Sequence, residues 1–97
     1  MADLAGTDRA PAPRRLSELP VGGAGDVLAV AGEPAMRVRL LEMGLIPGTR
    51  VSVVKRAPMG DPLELRVRGY HLSLRRAEAH AVTVAPAGAD ATEARPA

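Results

Sequence analysis

Few side chains in this sequence are equipped for chemistry. Two imidazoles, His71 and His80, and three carboxylates near them in the chain, Asp61, Glu64 and Glu78, form the set that would suit a first-row divalent metal ion. Their order argues against a shared site. If the alternating stretch around residue 70 folds as a hairpin, His71 lies beside its turn and His80 beyond the other end, and the carboxylates lack facial-triad spacing. The absence of cysteine removes disulfides, thiolate zinc sites, protein-ligated iron–sulfur clusters and a thiol nucleophile. No nucleophile stands beside a base at a spacing that suggests covalent catalysis. The expectation is a non-enzyme with no catalytic residue, no bound cofactor and no tightly held metal.

Two other stretches invite a chemical reading and have simpler ones. The fragment GGAGDVL, residues 22–28, looks like a phosphate-cradling loop. It lacks the third glycine of a dinucleotide fingerprint and the Gly-Lys-Ser/Thr of a P-loop, and it precedes a strand pattern instead of following one. A plain turn is expected. Met36, Leu40 and Met43 fall at i, i+4 and i+7, with Leu41 flanking. Thioethers at helical spacing usually fill a core, so this stripe is read as packing and not as a soft metal site.

Arginine is what the chain has in quantity. Twelve of the thirteen basic residues are Arg, with Lys55 the exception, and together with abundant Ala, Gly and Pro this reads as GC-rich codon usage. The distribution is more telling. Between residues 50 and 76, seven basic side chains (Arg50, Lys55, Arg56, Arg66, Arg68, Arg75, Arg76) stand against Asp61 and Glu64, an excess of +5. Residues 16–84 as a whole hold nine basic against seven acidic residues, so the positive charge is one-sided. Such a face suits nucleic acid, anionic lipid headgroups or an acidic protein surface, or is simply solvated. Single-strand binders stack bases on aromatic side chains, and Tyr70 is the only Phe, Tyr or Trp present, so nucleic acid is not the expected partner.

The elements that must position these residues fit into one small domain. The chain has 97 residues, too few for a deep catalytic cleft. No run approaches the roughly 18 to 20 apolar residues of a membrane helix, and the N-terminus has no signal-peptide centre, so a cytoplasmic protein is expected. Residues 1–15 and 86–97 mix Ala, Pro, Gly, Asp and Arg without apolar periodicity and are expected to be disordered tails around a domain over residues 16–85. Leu16 and Leu19 can anchor one helical turn, and DVLAVA, residues 26–31, reads as a first strand. Pro34 fits the first turn of a helix and Gly44 the left-handed position after its end, with Arg37, Arg39 and Glu42 toward solvent.

The β half follows. Val51 and Val53 alternate until Val54 breaks the pattern, which predicts a bulge or a strand end. Leu63, Leu65 and Val67 face one way and Glu64, Arg66 and Arg68 the other. A two-residue turn at Gly69 and Tyr70 would set Val67 against Leu72, Leu65 against Leu74, Arg66 against Ser73 and Glu64 against Arg75. After a short helical piece at RRAEAH, Val82 and Val84 alternate in a closing strand. One helix and about five strands in this length predict a mainly β fold, a small closed SH3-like barrel, with an open two-layer α+β sandwich as the competitor.

At this point the stretch RVRLLEMGLIPGTRVSVVKRAPMGDPLELRVRGYHLSLRRAEAHAVTV resembles the FeoA family of bacterial ferrous iron uptake. The matching residues are Arg39, Leu40, Gly44, Pro47, Gly48, Pro58, Gly60, Asp61, Pro62, Gly69, Leu74, Arg75, Ala79, Val82 and Val84, and their order and spacing carry the likeness. The resemblance implies an SH3-like barrel that works with the membrane permease FeoB, whose cytosolic part is a GTP-binding domain, at the inner face of the membrane and without chemistry of its own. Weak self-association stays open. The same domain type occurs behind the DNA-binding half of DtxR-like repressors, and with no winged-helix segment before Leu16 a free-standing module is expected. The partner surface is expected on the helix, at Met36, Arg37, Arg39 and Leu40, and on the proline-framed loop over residues 57–62, at Pro58, Met59, Gly60 and Asp61, since both can offer contacts at little ordering cost.

Overall fold

A computed structural model describes residues 12–87 of the chain. The expected tails fall mostly outside the described residues. In chain order the elements are β1 (Arg14–Arg15), a 3-10 turn (Leu16–Glu18), β2 (Ala24–Val30), α1 (Pro34–Glu42), β3 (Arg50–Arg56), β4 (Leu63–Val67), β5 (Tyr70–Leu74), α2 (Arg76–His80) and β6 (Val82–Ala87). Every paired neighbour is antiparallel, and the order across the sheet is β1-β6-β2-β3-β4-β5. The fold is mainly β, with one strand more than expected. That extra strand is two exposed arginines paired with Thr83 and Val84, a segment with no apolar period for a sequence reading to find.

The core follows the strand alternation. Val51, Val53, Leu63, Leu65, Val67, Leu74, Val82 and Val84 all turn inward, while the intervening Glu64 and Arg66 face out. Leu16 and Leu19 join this core from the 3-10 turn and the residue after it, and Leu40 and Leu45 join it from α1 and the turn that follows. The glycine-rich approach to β2 is used up in sheet pairing. The Gly22 N–H donates to the Val53 carbonyl, and the Val53 N–H donates to the Gly23 carbonyl. The Gly23 N–H in turn donates to the Pro20 carbonyl, so both glycine donors at this turn are engaged by backbone.

Two irregularities shape the sheet. The pairing of β3 with β4 shifts between Val53 and Lys55, the bulge predicted where Val54 breaks the alternation. A second shift, between Val27 and Ala29 in β2, leaves Leu28 exposed and was not predicted, because every residue of VLAV is apolar and the pattern carries no break.

The β4–β5 hairpin corrects the expected register. The turn is Arg68-Gly69, not Gly69-Tyr70, so Val67 pairs with Tyr70, Arg66 with His71, Leu65 with Leu72, Glu64 with Ser73 and Leu63 with Leu74. Both turn residues have positive φ, 45° at Arg68 and 92° at Gly69, the twist-matched geometry of a type I′ turn. Moving the turn by one residue changes each partner by two and leaves every side chain on its expected face. The anticipated Glu64–Arg75 pair does not form, since Arg75 lies beyond the end of β5.

Candidate functional site

The expected partner residues start on α1. Pro34 occupies the first turn, and Glu33 precedes it in extended conformation. At the other end Gly44 has φ 105°, the left-handed value that the sequence assigned to it. Between them Leu40 is fully buried and Met36 half-buried against the core, while Arg37 and Arg39 are exposed. Leu40 therefore cannot touch a partner and holds the helix down, which removes it from the expected surface. Val38 is exposed on the same helix.

The second half of the site is the loop between β3 and β4. Two backbone bonds tie it, Ala57 N–H to the Pro62 carbonyl at 3.1 Å and Gly60 N–H to the Ala57 carbonyl at 2.7 Å. This tightly closed loop leaves Met59 86% exposed at its tip, the most exposed large apolar side chain among the described residues. Asp61 is not a free tip residue. Its Oδ1 accepts the Arg76 N–H at 2.9 Å and pins the loop to the start of α2.

These two halves meet. An open cleft of about 380 Å³ is lined by Arg39 from α1, Asp61 and Pro62 from the loop, Ser73 and Leu74 from β5, and Arg75 and Glu78 at α2. Glu78 organises it. One carboxylate oxygen accepts the Arg75 N–H at 2.9 Å and the other accepts from the Arg39 guanidinium at 2.5 Å, so a nearly buried acid ties α1 to α2. The sequence reading placed Arg39 and Asp61 here but missed Arg75 and Glu78 as its walls. A signal was present, because Glu three residues after Arg75 is the spacing of a carboxylate that reaches back to a helix start.

The remaining candidates are scattered. His80 Nδ1 lies 3.2 Å from Ser17 Oγ, and its carbonyl accepts from Arg15 at 3.0 Å. His71 stands opposite Arg66 across the β4–β5 ladder. Among the described residues no three His, Asp or Glu side chains gather as a metal-ligand group. Glu18 is held below its ordinary value chiefly by the Arg15 backbone N–H, which outweighs the opposing effect of desolvation, with further help from the Arg14 side chain. No described helix is long and apolar enough to cross a membrane.

The site is thus a charged cleft on a small β module, walled by Arg39, Asp61, Arg75 and Glu78. The chain belongs to the FeoA family, whose domain model matches residues 14–86. Over 78 residues, 80% of its length, it is 40% identical to the Fe(2+) transport protein A/Fe(2+) transporter FeoB fusion protein of Porphyromonas gingivalis, of which it covers 9%. It is similar to the solution structure of a FeoA-like protein from Clostridium acetobutylicum, with 38% identity, TM-score 0.69, and coverage of 74% of this chain and 84% of that one. It is also similar to Stenotrophomonas maltophilia FeoA complexed with zinc, described as a procaryotic SH3 domain protein, with 36% identity, TM-score 0.63, and coverage of 71% and 86%. The fold is thus SH3-like, and the family is linked to ferrous iron transport.

Proposed function

We propose that this chain is a cytoplasmic accessory protein of bacterial ferrous iron uptake that docks on the GTP-binding region of a FeoB-type permease and does no chemistry of its own. The observation that carries the reading is the fusion relative, in which a segment 40% identical to most of this chain shares a polypeptide with FeoB. Fusion holds two partners at a high effective concentration, and it is useful where they act together. The docking surface in this reading is the cleft where Arg39 meets Asp61, flanked by Arg37 on α1 and by the Pro58-Met59-Gly60 tip. Met59 supplies an apolar anchor on a closed loop, and the arginines supply charge complementarity and steering.

The test is capture of the full-length permease from detergent-solubilised membranes by the tagged chain. Wild type is expected to retain it, and Met59→Asp and Arg39→Glu to retain less while melting as folded proteins. No capture by wild type, together with a shift of single-stranded nucleic acid in a gel assay, would sink the reading. The nucleic-acid alternative has little to stand on in this fold: Tyr70, the only aromatic platform available, has its hydroxyl engaged at the end of α1.

A further inference from the structure

The outer face of the sheet carries a second cleft, whose lining shares no residue with α1 or the Met59 loop. It measures about 310 Å³ and is lined by Gly48, Thr49, Arg50, Ser52, Arg66 and Arg68, at the low end of the range of small-ligand sites. Three of its six lining residues are arginines and none is acidic. Ser52 and Arg66 are direct cross-strand partners, so a hydroxyl and a guanidinium stand side by side on the solvent face. Asp26 takes Arg50 at 2.7 Å and holds it at the rim. The Arg66 and Arg68 side chains make no hydrogen bond or ion pair among the described residues. The nearest other titratable groups on this face are His71, opposite Arg66, and Glu64, which pairs across the ladders with Lys55 and Ser73.

A second observation concerns the backbone. Arg68 has φ 45°, the only positive value at a non-glycine residue among those described, at a turn position where Asn, Asp or Gly is favoured. The fold accepts this cost at the one place where it sets a third arginine at the cleft. Strain at a residue without a structural partner points to function. We propose that this cleft binds a phosphate oxyanion, with Arg66 and Arg68 as its ligands and the Ser52 hydroxyl as an additional donor. Guanidinium forks match phosphate oxygens in pairs, and a dianion relieves the mutual repulsion of neighbouring arginines. The same chemistry is offered by a soluble phosphate or by an anionic lipid headgroup.

The test titrates the full ¹⁵N-labelled chain at constant ionic strength with inorganic phosphate, and in parallel measures co-sedimentation with phosphatidylcholine vesicles with and without phosphatidylglycerol. Saturable shifts confined to Gly48, Thr49, Ser52, Arg66 and Arg68 with phosphate would support the site and assign a soluble ligand. Retention on the phosphatidylglycerol vesicles alone would support it and assign a headgroup. Arg66→Gln should weaken either interaction about tenfold, the loss expected for one charge-assisted pair. Arg68→Asn should weaken it similarly while raising the melting temperature, because Asn accepts positive φ more readily, an opposite pair of effects that a purely structural arginine would not give. The proposal is overturned if neither probe binds, if chloride at equal ionic strength reproduces the shifts, or if both variants bind like wild type. It also fails if a polyglutamate peptide binds where neither phosphate probe does, which would make the cleft a contact for an acidic protein.

Discussion

Tyr70 reaches across from the first position of β5 and donates its hydroxyl to the Met43 carbonyl, at the residue that caps the end of α1. This bond satisfies a helix-end acceptor that has no partner within the helix. It also seals the adjacent glycine, because a Cβ on Gly44 would collide with the Tyr70 oxygen in addition to resisting φ 105°. Tyr70→Phe should therefore cost about 1 kcal/mol, the usual net value of one hydrogen bond, and lower the melting temperature by roughly 4–8 °C. Gly44→Val should cost more than about 1 kcal/mol, since it adds a β-branched side chain in the left-handed region to the clash. Urea unfolding of the two variants checks both, and equal stability of Gly44→Val and wild type would refute the helix-end assignment.

A second expectation concerns Arg39 and Glu78, whose side chains are 56% and 12% exposed. The acid is nearly out of water and the base is not, so the pair lies between a surface ion pair and a buried one. With the exposed arginine allowing for solvent screening, Arg39→Ala should destabilise by about 1 kcal/mol. Glu78→Ala should cost more, because it also releases the Arg75 N–H at the start of α2. A double-mutant cycle by thermal melts should return a favourable coupling that shrinks only slightly in high salt; a coupling indistinguishable from zero would show that the two helices are joined by packing alone.

Much of this architecture was legible in local chemistry. Pro34 and Gly44 bracket α1 because each suits one end of a helix and nothing else nearby does. Val54 marked its bulge because an apolar residue fell on the polar phase of a strand. The hairpin register was legible only modulo two residues: alternation fixes which face each side chain takes, and the choice between Arg68-Gly69 and Gly69-Tyr70 rested on turn energetics that put an arginine at positive φ. The cleft was half legible. Arg39 and Asp61 lie 22 positions apart and were chosen separately for exposure and loop chemistry, whereas their meeting depends on α2 folding back over β5. No pattern within either segment encodes that approach.

The acid limb of the stability curve should report on Glu18. Its carboxyl sits below the ordinary value of 4.5 because the Arg15 backbone N–H, and then the Arg14 guanidinium, bind the charged form. A group whose folded pKa is depressed stabilises the fold above its unfolded pKa and loses that contribution as pH falls through the folded one. The stability difference between wild type and Glu18→Gln should thus be constant near neutrality and vanish progressively below about pH 4.5, the ordinary value. Melting temperatures from pH 7 to pH 3 measure it, and parallel curves down to pH 3 would mean that the bond does not persist in solution.

Leu40 and Met59 both sit in the region proposed to meet the permease, yet they should respond in opposite ways. Leu40 is 0% exposed and Met59 86% exposed. Leu40→Ala opens a cavity under α1 and should cost about 2–5 kcal/mol, a large share of the several kcal/mol expected of a domain this small at roughly 0.05–0.15 kcal/mol per residue. Any loss of permease capture by that variant would follow from the helix coming loose. Met59→Asp removes no core contact and should change stability by no more than about 0.5 kcal/mol. Its loss of capture would then report a contact. The decisive comparison is capture at a temperature where circular dichroism shows both variants folded: Leu40→Ala should recover near-wild-type binding on cooling, whereas Met59→Asp should stay weak at every temperature. If Met59→Asp binds like wild type throughout, the loop is only a connection between β3 and β4.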